Sequence, residues 1–344
     1  MAETTLNLFE QQASNRRKSW WLVGAFFVFF AWLGLGGDLV FYLASRGAPL
    51  GEMRYVHRIP WLGMVMSAIA LWLIRDILRN GAKKVLWSTG AVRLDQPVTD
   101  AERQFQNVVE EMAIASGVPV PKTYVVPDSD PNAFVTGSTP LESHIAVTQG
   151  LLDALDRDEL QAVVAHEMGH VKNEDARLMT LMAGLAGAVL LLRDGIARVV
   201  FRGGMRGGSR RSGGGKDANP LVVLLLVVWL VSWLLAPLVT RLLAMGISRK
   251  REFLADAMAA QFTRNPMALA SALEKIEAAE HPTKSINAGV AHLCIADPTQ
   301  RKVNNREGGL SELFGTHPPM RLRVARLKAM AFQAQKRAGD GMPA

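Results

Sequence analysis

His166-Glu167-Met168-Gly169-His170 places two imidazoles and one carboxylate at a spacing that could bind and use a metal ion. On an α-helix, residues four positions apart lie on one face, so both histidines can reach the same ion. Zn²⁺ is well suited to imidazole and carboxylate ligands. Zinc lowers the pKa of a coordinated water towards about 7, and Glu167 could accept its proton as the water attacks a carbonyl. The motif therefore predicts zinc-dependent hydrolysis.

The residues before and within the motif predict the helix that this chemistry needs. Asp156-Arg157-Asp158-Glu159 is typical of a capping box with Asp156 in the cap position. Apolar residues then recur at helical spacing at Leu160, Val163, Val164, Met168 and Val171. An amphipathic helix with two packed or solvated histidines is the alternative, and this well-started helix favours the metal site over it.

Zinc held by two histidines needs a third protein ligand and an open position. The candidates are Glu252 and Asp256, which are four residues apart and share a helix face. One carboxylate could bind the metal while the other holds a ligand imidazole by its second nitrogen. By spacing alone, the two could equally be a solvated acidic pair that balances the neighbouring cations.

The composition indicates membrane segments beside a globular part. The chain has 344 residues, of which 49% are hydrophobic, and a positive mean hydropathy of +0.12. The formal net charge is +8, but no nucleic-acid-binding motif accompanies it. Basic residues beside membrane segments are expected on the anionic cytoplasmic surface, so we expect a lipid bilayer as a partner and no nucleic acid. A single cysteine, Cys294, excludes an internal disulfide and a Cys₄ zinc site.

Apolar segments divide the chain. Six Lys or Arg residues flank the first apolar pair and three lie in the loop between, which favours both ends in the cytoplasm. The run from Leu221 to Val239 predicts a membrane span. Residues 178–201 are expected to form its partner, as a full span with the basic linker outside, against the charge rule. A re-entrant or protein-covered segment is the alternative for 178–201. The expected organisation is a cytoplasmic segment 1–19, a transmembrane hairpin 20–80, a first catalytic part 86–177, a hydrophobic hairpin 178–245 with a Gly/Arg-rich linker 202–217, a second catalytic part 246–337 and a disordered tail 338–344.

The first catalytic part combines helices with short strands. The pattern predicts an amphipathic helix from Thr99 to Ser116. β-Branched and apolar runs predict strands at 123–126, 132–136 and 144–148. We therefore expect an α+β, mainly helical fold.

Four motifs together are similar to those of the HtpX-type membrane zinc metalloproteases, relatives of the CAAX prenyl proteases. They are His166-Glu167-Met168-Gly169-His170, the segment from Ser248 to Asp256, Asn132-Ala133-Phe134-Val135-Thr136-Gly137, and Thr316-His317-Pro318-Pro319. The resemblance covers most of residues 16–331. It implies one Zn²⁺ per chain held by His166, His170 and Glu252, with Glu167 as general base and Asp256 supporting a ligand from outside the coordination sphere.

The resemblance also suggests where a substrate lies. Asn132-Ala133-Phe134 resembles the edge strand of that family, whose unpaired backbone groups can pair with an extended peptide. An ordinary turn is the alternative. His317 and Arg321 are one turn apart at a helix start and could donate to the oxyanion of the tetrahedral intermediate. A helix cap with a solvated arginine is the alternative for these two.

The combined interpretation is an integral-membrane zinc endopeptidase with a zincin, thermolysin-like catalytic domain on the cytoplasmic side of a multi-pass inner-membrane protein. The resemblance implies that it cleaves misfolded or damaged membrane proteins. One alternative is a protease that processes prenylated proteins, although four apolar segments are too few for a large intramembrane chamber. Another is a non-catalytic membrane scaffold that retains the fold, and the intact Glu167 speaks against it.

Overall fold

The computed structural model describes residues 8–46, 59–204, 230, 249–279, 285–286, 290–296 and 318–339. They form two compact units. One unit contains the described residues of 1–19, 78–184 and 242–344, and the other those of 20–77 and 185–241. The predicted span at 221–239, the linker beyond residue 204, His317 and residues 340–344 lie outside the described residues, apart from the single position 230.

A four-stranded sheet lies in the first unit. Its strands are β1 (Val92–Arg93), β2 (Lys122–Val126), β3 (Ala133–Gly137) and β4 (Ser143–Thr148), in the order β1-β2-β4-β3. β4 pairs with β2 in parallel and with β3 in antiparallel register, with Val135 opposite Ile145. The three predicted strands are confirmed within one residue at each end, and β3 forms one edge of the sheet.

Several helices of the same unit form its core together with the sheet. They are α3 (Asp100–Ser116), α4 (Gln149–Ala154), α5 (Arg157–Lys172), the first part of α6 (Asp175–Gly204), α7 (residues 249–263), α8 (Pro266–Ala278) and α9 (Met320–Gly339). α3 begins with a capping box of Thr99 and Glu102 and ends at Gly117, whose φ of 69° is left-handed. The mainly helical α+β fold is confirmed.

The core of this unit fixes the helix that carries the metal motif. Leu160, Val163 and Met168 of α5 are at most 2% exposed. They belong to one apolar cluster with Phe105 of α3 and Leu273 of α8. Burying side chains of this kind contributes about 1.5–3 kcal/mol each, so α5 is held on several sides. The capping box predicted at Asp156 and Glu159 is confirmed at its start.

Among the described residues, two helices are long and apolar enough to cross a membrane, α1 (Leu8–Arg46) and α2 (Trp61–Ser88). Within the second unit, a Cβ built on Gly34 would lie 2.7 Å from the Cα of Gly63, so the two helices touch through glycines. The buried Asp38 carboxylate accepts hydrogen bonds from the backbone N–H groups of Leu62 and Gly63, at 3.3 and 2.7 Å, and caps α2.

Two helices extend through charged stretches. α1 begins at Leu8, within the predicted cytoplasmic segment 1–19, and runs without interruption into its apolar part. α6 likewise passes through Arg193 and Asp194 as one continuous helix. Local charge did not break either helix, because neither stretch contains proline.

Candidate metal centre

α5 buries the three motif side chains together. His166, Glu167 and His170 are 0%, 1% and 3% exposed. The two imidazole rings lie 4.9 Å apart between centroids and are nearly perpendicular. The alternative of two solvated histidines is therefore wrong. Buried polar groups of this kind require partners, since an unmade hydrogen bond costs about 1–3 kcal/mol.

α7 supplies the next group by crossing α5 closely. A Cβ built on Gly169 would lie 3.2 Å from the Cα of Ala255, so only glycine allows the two helices to meet at this distance without displacement. The crossing brings Glu252 between the histidines. Its Oε2 lies 3.7 Å from His166 Nε2, and its Oε1 lies 3.6 Å from His170 Nε2. Glu252 and Asp256 are 3% and 2% exposed, so they are not a solvated pair.

The spacing of these atoms fits a zinc ion. His166, His170 and Glu252 each offer a ligand atom, and these atoms lie within 4.8 Å of one another. Ligands about 2.0–2.1 Å from zinc at tetrahedral angles are separated by about 3.3–3.5 Å. The Nε2-to-carboxylate distances of 3.6 and 3.7 Å are close to that value. Two imidazoles and one carboxylate also form the donor set of a catalytic zinc site.

Each imidazole is held by a second carboxylate through its other nitrogen. His166 Nδ1 lies 2.9 Å from Asp256 Oδ1, and His170 Nδ1 lies 3.3 Å from Asp175 Oδ2. A carboxylate in this position fixes the tautomer with the proton on Nδ1 and leaves Nε2 free to bind a metal. Both histidines therefore point their Nε2 atoms toward Glu252.

Arg323 of α9 joins the cluster from a distant part of the sequence. Its side chain is 0% exposed, and its Nε and Nη2 donate to Asp256 Oδ2 and Oδ1 at 2.9 and 2.7 Å. Its Nη1 donates to the Ile295 carbonyl at 2.9 Å and lies 3.6 Å from Glu252 Oε2. The forked pair is the geometry in which arginine binds a carboxylate most strongly. Arg323 thus balances part of the negative charge of the site.

The electrostatic environment distinguishes Glu167 from the other groups. Burial raises the pKa of Glu167 to about 7, although His170 opposes this rise and Glu252 adds to it. A general base works best when its pKa lies near the working pH. Burial lowers the pKa of His170, but hydrogen bonding to Asp175 and the charge of Glu252 outweigh it and raise the pKa to about 9 in the metal-free site.

Glu167 is also placed beside the sheet edge. The backbone of Val135 in β3 acts on this carboxylate and lowers its pKa, against the larger effect of burial. Its Oε2 is buried and has no hydrogen-bond partner among the described residues. A buried carboxylate oxygen without a donor is costly unless a water or ligand satisfies it, which is the situation expected of a base that acts on a bound water.

The edge residues proposed for substrate contact are buried and already paired with another segment of the chain. Asn132, Ala133 and Phe134 are each 0% exposed. The Ala133 carbonyl accepts the backbone N–H of Ile295 at 2.9 Å, and the Asn132 amide donates to the Ala296 carbonyl at 2.9 Å. The expectation of an exposed edge at these three residues is wrong, because a later segment of the same chain already pairs with them. Their role in substrate binding stays a prediction.

The arginine of the last helix that lies at the cluster is not the one predicted from the sequence. Arg321 is exposed, and Arg323 reaches the cluster. A usable signal was present, since Arg323 lies on the apolar stripe formed by Met320, Val324 and Leu327. A charge on the buried face of an amphipathic helix must be paired. Asp175, five residues after His170, was also missed.

A helix with an H-E-x-x-H motif, a carboxylate from a later helix and a buried glutamate base defines a metallopeptidase type of site. The model of peptidase family M48 matches residues 99–331, more than half of the chain. This match includes all the metal-site residues described above, from His166 to Arg323.

Relatives agree over nearly the whole length. A protein named Protease HtpX homolog from Caldanaerobacter subterraneus subsp. tengcongensis is 38% identical over 332 residues, which cover 96% of this chain and all of the relative. The proteins of the same name from Streptococcus gordonii and Dictyoglomus turgidum are 34% and 36% identical, each over 94% of this chain and over 100% and 94% of the relative. The chain therefore belongs to peptidase family M48, and it is a membrane-bound metalloprotease.

A solved structure is similar to this chain. The crystal structure of S. mikatae Ste24p aligns with a TM-score of 0.45 and 19% identity, over 90% of this chain and 66% of that one. The chain thus spans just under two thirds of that protein. A similarity at this level supports no conclusion about the site or its substrate.

Proposed function

We propose that the chain is a zinc endopeptidase in which His166, His170 and Glu252 hold one Zn²⁺ per chain. The observation that carries this proposal is the convergence of two imidazole Nε2 atoms on one carboxylate. Both Nδ1 atoms are at the same time held by other carboxylates. A cluster of acids and histidines without a metal role has no need of this double orientation.

Peptide hydrolysis requires that a proton move from the attacking water to the leaving amine. When bound, zinc supplies a Lewis acid that acidifies water and polarises the substrate carbonyl. Glu167, whose pKa of about 7 suits both directions of transfer, accepts the proton and later donates it to the amine. Asp256 and Asp175 keep the two imidazoles oriented throughout. Together these groups form a general-base peptidase site.

The arrangement also supports a thermolysin-like zincin as the finer fold class. Two proposed ligands lie on α5, and the third lies on α7 after a long stretch of intervening chain. The sheet edge β3 runs beside the glutamate base, since the Val135 backbone lies close enough to lower the pKa of Glu167. In this scheme an extended substrate lies along β3 and contacts Asn132, Ala133 and Phe134.

Substrate binding along that edge requires a local rearrangement. The backbone of residues 294–296 already pairs with β3 through Ala133 and Phe134. A peptide strand can form these hydrogen bonds with β3 only after residues 294–296 move away. The free edge of a strand pairs with one neighbouring strand at a time. His317 and Arg321 remain our proposed donors to the oxyanion, and His317 lies outside the described residues.

The proposed substrates are proteins, in particular misfolded or damaged membrane proteins. The support is the combination of a peptidase site with two helices that could cross a membrane. A protease anchored in the bilayer encounters membrane proteins at high local concentration. Protein quality control in the membrane is therefore the role that we propose.

We also propose a multi-pass inner-membrane protein whose catalytic unit faces the cytoplasm. The excess of Lys and Arg at the ends of the first apolar pair supports this orientation. The exposed Ser88 at the end of α2 offers a test, once the buried Cys294 is replaced by serine. A Ser88→Cys variant should react with an impermeant thiol reagent only after the cells are permeabilised. Labelling of intact cells would contradict the cytoplasmic orientation.

The proposed chemistry is tested by comparing Glu167→Gln with Glu252→Ala in the purified full chain. Glu167→Gln should keep its zinc and lose at least ~10²-fold in casein cleavage, because only proton transfer is removed. Glu252→Ala should lose most of its zinc, since a ligand is removed. Zinc content by metal analysis and cleavage rate are measured on the same samples. Full zinc in Glu252→Ala, or loss of zinc in Glu167→Gln, would overturn the assigned roles.

A further inference from the structure

The beginning of α1 contacts the turn that follows the metal helix. Gln12, Asn15 and Ser19 lie on one helix face at spacings of three and four residues. Asn15 and Ser19 are 5% and 1% exposed, although both are polar. A buried polar face on a helix must be satisfied by specific partners. Ser19 donates to the Asn15 carbonyl of its own helix, whereas the partners of Gln12 and Asn15 lie in residues 172–175.

Each residue of that turn receives a contact from α1. The Gln12 amide donates to the Lys172 carbonyl at 2.6 Å, and the Asn15 amide donates to the Asn173 carbonyl at 2.9 Å. Arg16 forms an ion pair with Glu174. Asn15 Nδ2 also donates to Asp175 Oδ1 at 2.8 Å.

The turn has a conformation that needs such support. Glu174 has a φ of 58°, in the left-handed region that residues other than glycine rarely adopt. This residue reverses the chain between the end of α5 and the start of α6. As a result, Asp175 lies beside the imidazole of His170, five residues earlier.

Asp175 has few groups that fix its position. Its side chain is 0% exposed. One oxygen faces His170 Nδ1 at 3.3 Å, and the other accepts the Asn15 amide and lies 3.8 Å from Arg251 Nη1. The contact with Arg251 is too long for a hydrogen bond. The Asn15 amide is therefore the best-placed donor to the oxygen that faces away from His170.

We propose that Asn15 is a positioning residue for the metal centre, which fixes the Asp175 carboxylate and through it the imidazole of His170. An amide carries two N–H groups on one nitrogen, so Asn15 can hold the turn backbone and the carboxylate at once. A segment that precedes the first apolar stretch thus forms part of the metal site. This inference rests on the zinc site proposed above.

The test is zinc affinity of the full-length protein in detergent, measured by competition with a chelator. Asn15→Ala should weaken zinc binding roughly tenfold, at the lower end of the range for groups that orient metal ligands. Gln12→Ala is the matched control, because Gln12 also donates an amide hydrogen bond to the turn but does not touch Asp175. Its zinc affinity should stay within about twofold of wild type.

A double-mutant cycle separates positioning from general destabilisation. In an Asp175→Ala background, Asn15→Ala should cause no further loss of zinc affinity, because its effect acts through Asp175. An equal loss of zinc affinity on Asn15→Ala in both backgrounds would overturn the proposal. So would an Asn15→Ala variant whose zinc affinity stays within twofold of wild type while Asp175→Ala alone binds zinc more weakly. If the wild-type protein shows no specific zinc binding, or if His170→Ala binds zinc as tightly as wild type, the zinc site itself is wrong and the inference falls with it.

Discussion

The two histidines of α5 are held in different ways. His166 faces Asp256, which is locked by the buried guanidinium of Arg323 in a forked ion pair. His170 faces Asp175, which accepts an amide hydrogen bond from Asn15. One half of the site is therefore stabilised by full charges from the end of the chain. In the other half, the donor within hydrogen-bond distance of Asp175 Oδ1 is the neutral Asn15 amide from the beginning of the chain, and the Arg251 guanidinium lies farther away at 3.8 Å.

The two carboxylates that hold the imidazoles, Asp256 and Asp175, therefore have different electrostatic surroundings. On the His166 side, charge neutralisation is strong, because a paired guanidinium and carboxylate share a dry environment. On the His170 side, the hydrogen bond and the negative charge of Asp175 act on the imidazole. Both help to raise the pKa of His170. The two halves should therefore respond differently when their outer partners are removed.

The largest expected effect follows removal of Arg323. Arg323→Met keeps much of the volume but leaves Asp256 as an unpaired buried charge, which typically costs about 3–5 kcal/mol of stability. Asn15→Ala removes a neutral donor and should cost only about 1–3 kcal/mol. The free energy of unfolding is measured by denaturant titration with excess chelator, so that metal binding does not contribute.

A control on the same helix makes that difference specific. Lys328 of α9 forms an ion pair with Glu274, in which both side chains are about half exposed. Lys328→Met should change stability by less than about 1 kcal/mol, as exposed pairs do. Equal losses for Arg323→Met and Asn15→Ala would show that the charge difference between the two halves has no energetic consequence.

A smaller contrast is expected between the two carboxylates. Asp256→Ala and Asp175→Ala should each weaken zinc binding by roughly 10–100-fold, because each orients a ligand imidazole. Asp256→Ala should lie near the upper end, since it also leaves the Arg323 cation unpaired beside His166. Asp175→Ala should lie near the lower end. Chelator competition measures both, and the reverse order would contradict this account of the site.

Local signals predicted much of the fold and the centre of the site. The helix from Thr99 to Ser116, the capping box at Asp156 and the three strands all depend on residues close in sequence. The H-E-x-x-H spacing places His166 and His170 on one face for the same reason. Glu252 and Asp256 were found as a pair by helical spacing, and both lie in the cluster.

The missed features depend on contacts between distant parts of the chain. Asn15 is an ordinary polar residue in a basic segment, and nothing nearby in sequence reveals that it meets residue 175. The pairing of residues 294–296 with this edge has no periodic pattern, because its hydrogen bonds come from the Ile295 backbone N–H and the Asn132 side chain. Arg323 could have been recognised from the sequence, because it occupies a position on the apolar face of α9. The prediction of Arg321 did not use this pattern.

The order of synthesis gives the Arg323 contact a further consequence. A chain grows from its amino end, and segments fold as they emerge. The motif helix and α7 are translated before α9, so until then Glu252 and Asp256 have no guanidinium from α9 to neutralise them. We therefore expect the growing chain to complete this part of the metal centre only after residue 323 has been translated.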